Sequence, residues 1–157
     1  MTMTRALAQA TPRWALLTVW LVVNAVNVLQ TVGFLTRPRA PEVNRVAGLV
    51  MTILAVPATA ALVAFVRNRS GWRLIAGPLV YDGFILVSLV VDYWLAIEFR
   101  SPRRPEILIP YLVLFFGAIF LMGVPMFRVD RRLWAVTALT TIALLVSMVW
   151  ALGVGVG

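Results

Sequence analysis

Five apolar runs, each long enough to cross a bilayer as a helix, dominate this sequence. They cover residues 14–34, 46–66, 74–97, 107–127 and 133–154, with short arginine-containing links between them. A helix of about 20 residues spans the ~30 Å hydrocarbon core, where lipid offers backbone polar groups no hydrogen-bond partner. The sequence therefore predicts an all-α membrane protein, a bundle of five transmembrane helices that forms a single domain over residues 1–157.

The composition excludes several classes of protein. Apolar residues make up 62% of the 157 residues and charged residues 13%, whereas soluble domains carry about a quarter charged residues. Cys, His and Lys are absent, so the chain offers no thiol, no imidazole for zinc or haem and no lysine for a Schiff base. Phosphate-binding and nucleophile motifs are also missing. We therefore expect no metal and no cofactor, and an enzyme is not the favoured class.

The net charge of +8 comes from 14 arginines set against six acidic residues. The arginines lie in short clusters beside the apolar runs and form no continuous basic stripe, which argues against nucleic acid as a partner. Arginines in such loops contact lipid phosphates and influence topology. Eight arginines fall on the side of the N-terminus and six on the other, which favours a cytoplasmic N-terminus. Arginine without lysine indicates a GC-rich gene and favours a bacterial plasma membrane.

Two loops share a five-residue pattern. Residues 38–42 have the sequence PRAPE and residues 102–106 have PRRPE, each directly before an apolar run. One interpretation is a pair of tandem helical hairpins followed by a fifth helix. The other is that two helix starts share Pro and Glu because both residues suit a helix N-terminus.

Polar side chains inside the apolar runs carry most of the functional information, because they are costly in lipid. Asn24 and Asn27 share one face of the first predicted helix, and Asp82 lies about 12 Å into the third. A carboxyl group in hydrocarbon can bind and release a proton near neutral pH, so Asp82 is a candidate proton or ion site. The alternative is a structural Asp82 paired with an arginine or with the two amides. Tyr81 and Ser88 complete this set of candidate buried polar residues.

The ends of the runs suggest a second site. Asp92 lies near the end of the third run, where we expect an interfacial position. Four arginines on the same side are candidate contacts for a lipid headgroup or another anion: Arg37, Arg39, Arg103 and Arg104. In the fifth run, Thr137, Thr140 and Thr141 form a hydroxyl stripe that we expect to face the bundle.

Three functions remain open from the sequence. The favoured one is a non-catalytic membrane subunit or interaction partner, either a homo-oligomer or a partner of other membrane proteins, because the loops are short and no reactive centre is evident. The first alternative is a small proton-coupled transporter or channel that uses Asp82. The second is a membrane protein that binds or modifies a lipid headgroup through the arginines, with Asp92 nearby.

Overall fold

The computed structural model describes residues 11–37, 39–97 and 104–153, and within them it contains helices and short links but no strands. The long helices are α1 (Arg13–Thr36), α2 (Pro41–Arg67), α3 (Trp72–Ser88, continued by a π-helical turn, Leu89–Trp94), α4 (Pro105–Gly123) and α5 (Arg131–Gly153). The four-residue helix Met126–Val129 links α4 to α5. Five helical segments are long and apolar enough to cross a membrane, which confirms the predicted all-helical fold with five such helices.

The helix ends differ from the predicted ends at three places, and at one of them α4 ends at Gly123 rather than near residue 127. Helix α2 begins at Pro41 rather than near residue 46, because Pro41 and Glu42 extend the helix into the polar link. Proline is preorganised for the first helical turn, and an acidic residue there complements the helix dipole. The third segment ends at Trp94 rather than near residue 97, and Ala96 has a positive φ of 47°.

The repeated Pro-Glu pattern lies at two helix starts. Pro105 and Glu106 occupy the first turn of α4, as Pro41 and Glu42 do in α2. These are the positions that helix-start chemistry alone would select. Residue 38 and residues 102–103 of the pattern lie outside the described residues.

The helices pack in chain order, and the last one returns to the first. Helix α1 packs on α2, α2 on α3 and α3 on α4, while α5 packs mainly on α1. The outer faces remain apolar: Val56 and Leu139 are 72% and 69% exposed. Hydrocarbon around the bundle would cover such faces, whereas water would not.

The backbones of helices α3 and α4 approach each other closely at Gly77. A Cβ atom on Gly77 would lie 2.7 Å from the backbone nitrogen of Met122, so this position requires glycine. The same interface continues through Phe84, whose ring centroid lies 5.1 Å from that of Tyr111 and 5.2 Å from that of Phe115. These contacts hold α3 and α4 beside the cavity that forms the candidate site.

Candidate functional site

All five helices line one cavity of about 570 Å³. It lies at the end of the bundle where α1, α3 and α5 end and where α2 and α4 begin. A volume of this size lies in the range of small-molecule sites, which is roughly 300–1,000 Å³.

The charged side chains of the cavity wall lie at one end of the cavity. The rim includes Arg37, Asn44, Arg45, Asp92 and Tyr93 near the helix ends, together with the apolar Phe34, Leu108 and Leu152. Deeper in the bundle the wall includes Met51 and Phe115, which follow the first residues of α2 and α4 by ten positions each. Ten residues of α-helix correspond to about 15 Å, so the cavity extends well into the bundle.

Two hydroxyl groups hold the carboxylate of Asp92 at the rim. Ser88 Oγ donates to Asp92 Oδ2 at 3.0 Å, and the hydroxyl of Tyr111 donates to the same oxygen at 2.9 Å. Asp92 and Tyr93 belong to the π-helical turn at the end of α3, and such turns are frequent at functional sites. The Tyr93 hydroxyl lies close to α2, where a Cβ on Gly48 would be 3.0 Å away. The sequence had indicated Ser88 and Asp92 but not Tyr111.

Of the predicted anion-contacting arginines that the structure describes, one lines the cavity. Arg37 lines the cavity, whereas Arg39 and Arg104 are exposed and are not among the described residues of its wall. Arg103 lies outside the described residues. Arg45, one turn into α2, lines the cavity although the sequence had not singled it out as a binding residue.

The two asparagines of α1 contact α5. Asn24 Nδ2 donates to Thr137 Oγ1 at 3.0 Å, and Thr140 Oγ1 donates to Asn24 Oδ1 at 2.8 Å. Asn27 Nδ2 donates to the hydroxyl oxygens of Thr140 and Thr141 at 3.0 and 2.9 Å. The predicted polar face of α1 therefore meets the predicted hydroxyl stripe of α5, an arrangement typical of packing between membrane helices. Asn27 Oδ1 is buried and has no hydrogen-bond partner within the described part of the chain.

Asp82 lies between α3 and α2, away from the two asparagines. Its Oδ2 is 2.9 Å from Thr59 Oγ1, which also lies 2.9 Å from the carbonyl oxygen of Ala55. Its Oδ1 is buried without a hydrogen-bond partner among the residues that the structure describes. The neighbouring Tyr81 is buried and donates to the carbonyl oxygen of Met51 at 2.8 Å. Neither Tyr81 nor Asp82 belongs to the described wall of the cavity.

Over the described ranges, no group of three or more His, Cys, Asp or Glu side chains could hold a metal ion. Comparison with known proteins gives no match: no protein-family model fits the chain, and no curated protein and no solved structure is similar to it.

Proposed function

We propose that this chain is an integral membrane protein that binds a membrane lipid in the cavity between its five helices and has no catalytic role. The observation that carries the proposal is a gradient of charge along the cavity wall, whose charged side chains all lie at the helix ends while Met51 and Phe115 line it deeper inside. A lipid in one leaflet has the same gradient over a similar distance, about half of the ~30 Å core.

The outer surface of the bundle supports insertion into a membrane. Exposed tryptophans lie near both ends of the bundle, with Trp14 and Trp72 at one end and Trp94 and Trp150 at the other. Tryptophan is enriched at the two interfaces of a bilayer. With a cytoplasmic N-terminus, as the arginine distribution favours, the cavity belongs to the outer leaflet of the plasma membrane.

The environment of Asp92 supports binding rather than reaction. The hydroxyl groups of Ser88 and Tyr111 both donate to Asp92 Oδ2, which holds the carboxylate in one orientation. Neither hydroxyl can be activated by imidazole or by an amine side chain, because the chain contains no His and no Lys. Lipid binding belongs to the second alternative that the sequence leaves open, a membrane protein that binds or modifies a lipid headgroup.

A proton-coupled transporter is the second candidate, and one observation favours it. Asp82 lies midway along α3, and its Oδ1 is buried without a hydrogen-bond partner in the described ranges. Its position between α2 and α3, outside the described cavity wall, gives the proton no evident route to the cavity. We therefore rank lipid binding first.

The experiment that tests lipid binding fills the cavity with a larger side chain. Leu108 lines the cavity, whereas the next residue, Ile109, is 59% exposed on the outer face. Each variant, Leu108→Trp and Ile109→Trp, is extracted in mild detergent, and its bound lipid is measured by native mass spectrometry. We expect Leu108→Trp to retain about tenfold less lipid than the unmodified chain, a loss of 1.4 kcal/mol, and Ile109→Trp to retain it. Equal lipid content in the two variants would contradict the proposal.

A further inference from the structure

The outer surface of α2 and α3 carries two short stripes with the same pattern: an apolar, a polar and an apolar residue. The members of each stripe are three and four residues apart, a spacing that places side chains on one face of a helix. The stripes consist of Val56, Thr59 and Val63 on α2 and of Leu79, Asp82 and Leu86 on α3. The four apolar members are between 48% and 72% exposed, so both stripes face outward. We call the two stripes together the α2–α3 face.

The two polar members meet at the centre of the α2–α3 face. Thr59 Oγ1 lies 2.9 Å from Asp82 Oδ2. Thr59 is exposed and Asp82 is half-buried, with its Oδ1 turned inward and without a hydrogen-bond partner in the described ranges. Asp82 follows Arg73, in the first turn of α3, by nine positions, or about 14 Å of helix. This carboxyl group therefore lies near the middle of the ~30 Å hydrocarbon core, at a surface that lipid or another membrane helix must cover.

The chain contains no cationic side chain at the depth of Asp82. All 14 arginines lie outside the five apolar runs, and Lys and His are absent. An acidic side chain at mid-depth is costly in hydrocarbon, and such residues are commonly paired. A second copy of the chain in the same orientation would bring another Asp82 to this depth and no cation. The complementary group therefore belongs to a different protein.

We propose that the α2–α3 face binds a transmembrane helix of another membrane protein, and that this helix carries a lysine or an arginine at mid-depth that pairs with Asp82. Small residues beside the polar pair let such a helix approach closely. Ala60 is exposed next to Thr59, and a Cβ atom on Gly83 would meet no atom within 4 Å. This inference goes beyond lipid binding, because neither Thr59 nor Asp82 belongs to the described wall of the cavity.

The test uses a designed transmembrane peptide as the probe. Three peptides share one apolar sequence of about 20 residues and carry lysine at the centre, leucine at the centre, or lysine near one end. The natural chain has no cysteine, so Val129→Cys, in the exposed link after α4, provides a single position for a fluorescent label. Binding of each labelled peptide to the full chain is measured in vesicles by energy transfer. We expect the peptide with a central lysine to bind about tenfold more tightly than the other two, which corresponds to 1.4 kcal/mol.

Two pairs of variants locate the binding site. Asp82→Asn is expected to abolish the tenfold excess, whereas Asp130→Asn, at an exposed position at one end of the bundle, should keep it. Ala60→Trp places a large ring on the α2–α3 face and is expected to weaken binding of the central-lysine peptide about tenfold. Leu139→Trp is its matched control, because Leu139 is 69% exposed on α5. The tryptophan pair decides the question if Asp82→Asn fails to fold.

The outcomes separate this inference from its alternatives. Equal binding of the three peptides to the unmodified chain would refute a cationic partner and indicate that lipid covers the face. An excess that survives in both Asp82→Asn and Ala60→Trp would refute the α2–α3 face as the site. Energy transfer between two copies of the chain that Ala60→Trp abolishes would assign the face to a second copy and overturn the proposal. None of these results depends on lipid in the cavity, which Leu108→Trp tests separately.

Discussion

Replacing Gly77 with alanine is expected to force α3 and α4 apart. The new Cβ would lie 2.7 Å from the backbone nitrogen of Met122 and 2.8 Å from the carbonyl carbon and oxygen of Leu121. Ordinary van der Waals contact begins at 3.4 Å, so the two backbones must separate by 0.7 Å. All of these neighbours are backbone atoms, and no side-chain rotation can relieve the contact.

The free-energy cost of this separation can be derived from the contacts between α3 and α4. Adding a methyl group to packed structure costs about 1–3 kcal/mol. The contacts of Phe84 with Tyr111 and Phe115 lie in the same interface, and a gap of 0.5–1 Å removes roughly a quarter to a half of a dispersion contact. The greater helix propensity of alanine returns about 1 kcal/mol. We therefore expect Gly77→Ala to lower the free energy of unfolding by about 1–2 kcal/mol.

Gly83→Ala provides the matched control in the same helix. A Cβ on Gly83 would meet no atom within 4 Å, so alanine there should leave stability unchanged or raise it by up to about 1 kcal/mol. Both variants are unfolded reversibly in mixed detergent micelles, and helix content is followed by circular dichroism. Equal stability of Gly77→Ala and Gly83→Ala would refute the close approach of α3 and α4.

Three further substitutions and one control substitution test the contacts of α1 and the environment of Asp82. Asn27→Leu removes two hydrogen bonds to α5 and should lower the free energy of unfolding by about 1–2 kcal/mol. The hydroxyl of Thr31 donates within its own helix, so the control Thr31→Val should change the free energy of unfolding by less than about 0.5 kcal/mol. Trp20→Phe removes the bond from Nε1 to an α5 carbonyl and should cost about 0.5–1.5 kcal/mol in the same assay. Asp82→Asn should leave both stability and proton flux in liposomes unchanged, because the amide oxygen of asparagine can still accept a hydrogen bond from Thr59 Oγ1. Loss of proton flux in the folded variant would instead favour the transporter.

The features that the sequence predicts correctly are those that depend on one helix at a time. The lengths of the apolar runs predict five helices, because a bilayer requires a fixed number of residues per crossing. Spacings of three and four residues predict that Asn24 and Asn27 share a face, and the structure places both against α5. The same periodicity predicts that Thr141 faces the bundle, where it is buried.

The features that the sequence could not predict depend on how one helix is rotated against another. Tyr111 and Asp92 meet across α4 and α3, and no spacing within either segment indicates that contact. Asp82 lies midway along the third helical segment, but its partner, Thr59, is decided by the packing of α2 on α3. The π-helical turn after Ser88 also departs from the α-helical spacing by which Ser88 and Asp92 were placed in the third run. The cavity therefore could not be predicted from the sequence and is seen in the structure alone.

The pairing of α1 with α5 has a consequence for how the chain is made. The residues that these bonds join are 113 to 116 positions apart, so α1 is synthesised long before its partners exist. During that interval the indole of Trp20 and the amides of Asn24 and Asn27 lack their final acceptors and donors, and water, lipid headgroups or another protein must supply substitutes. A ribosome stalled before Thr137 would leave an unfinished bundle whose first helix still presents these groups, a feature by which cellular quality control could distinguish incomplete chains from finished ones.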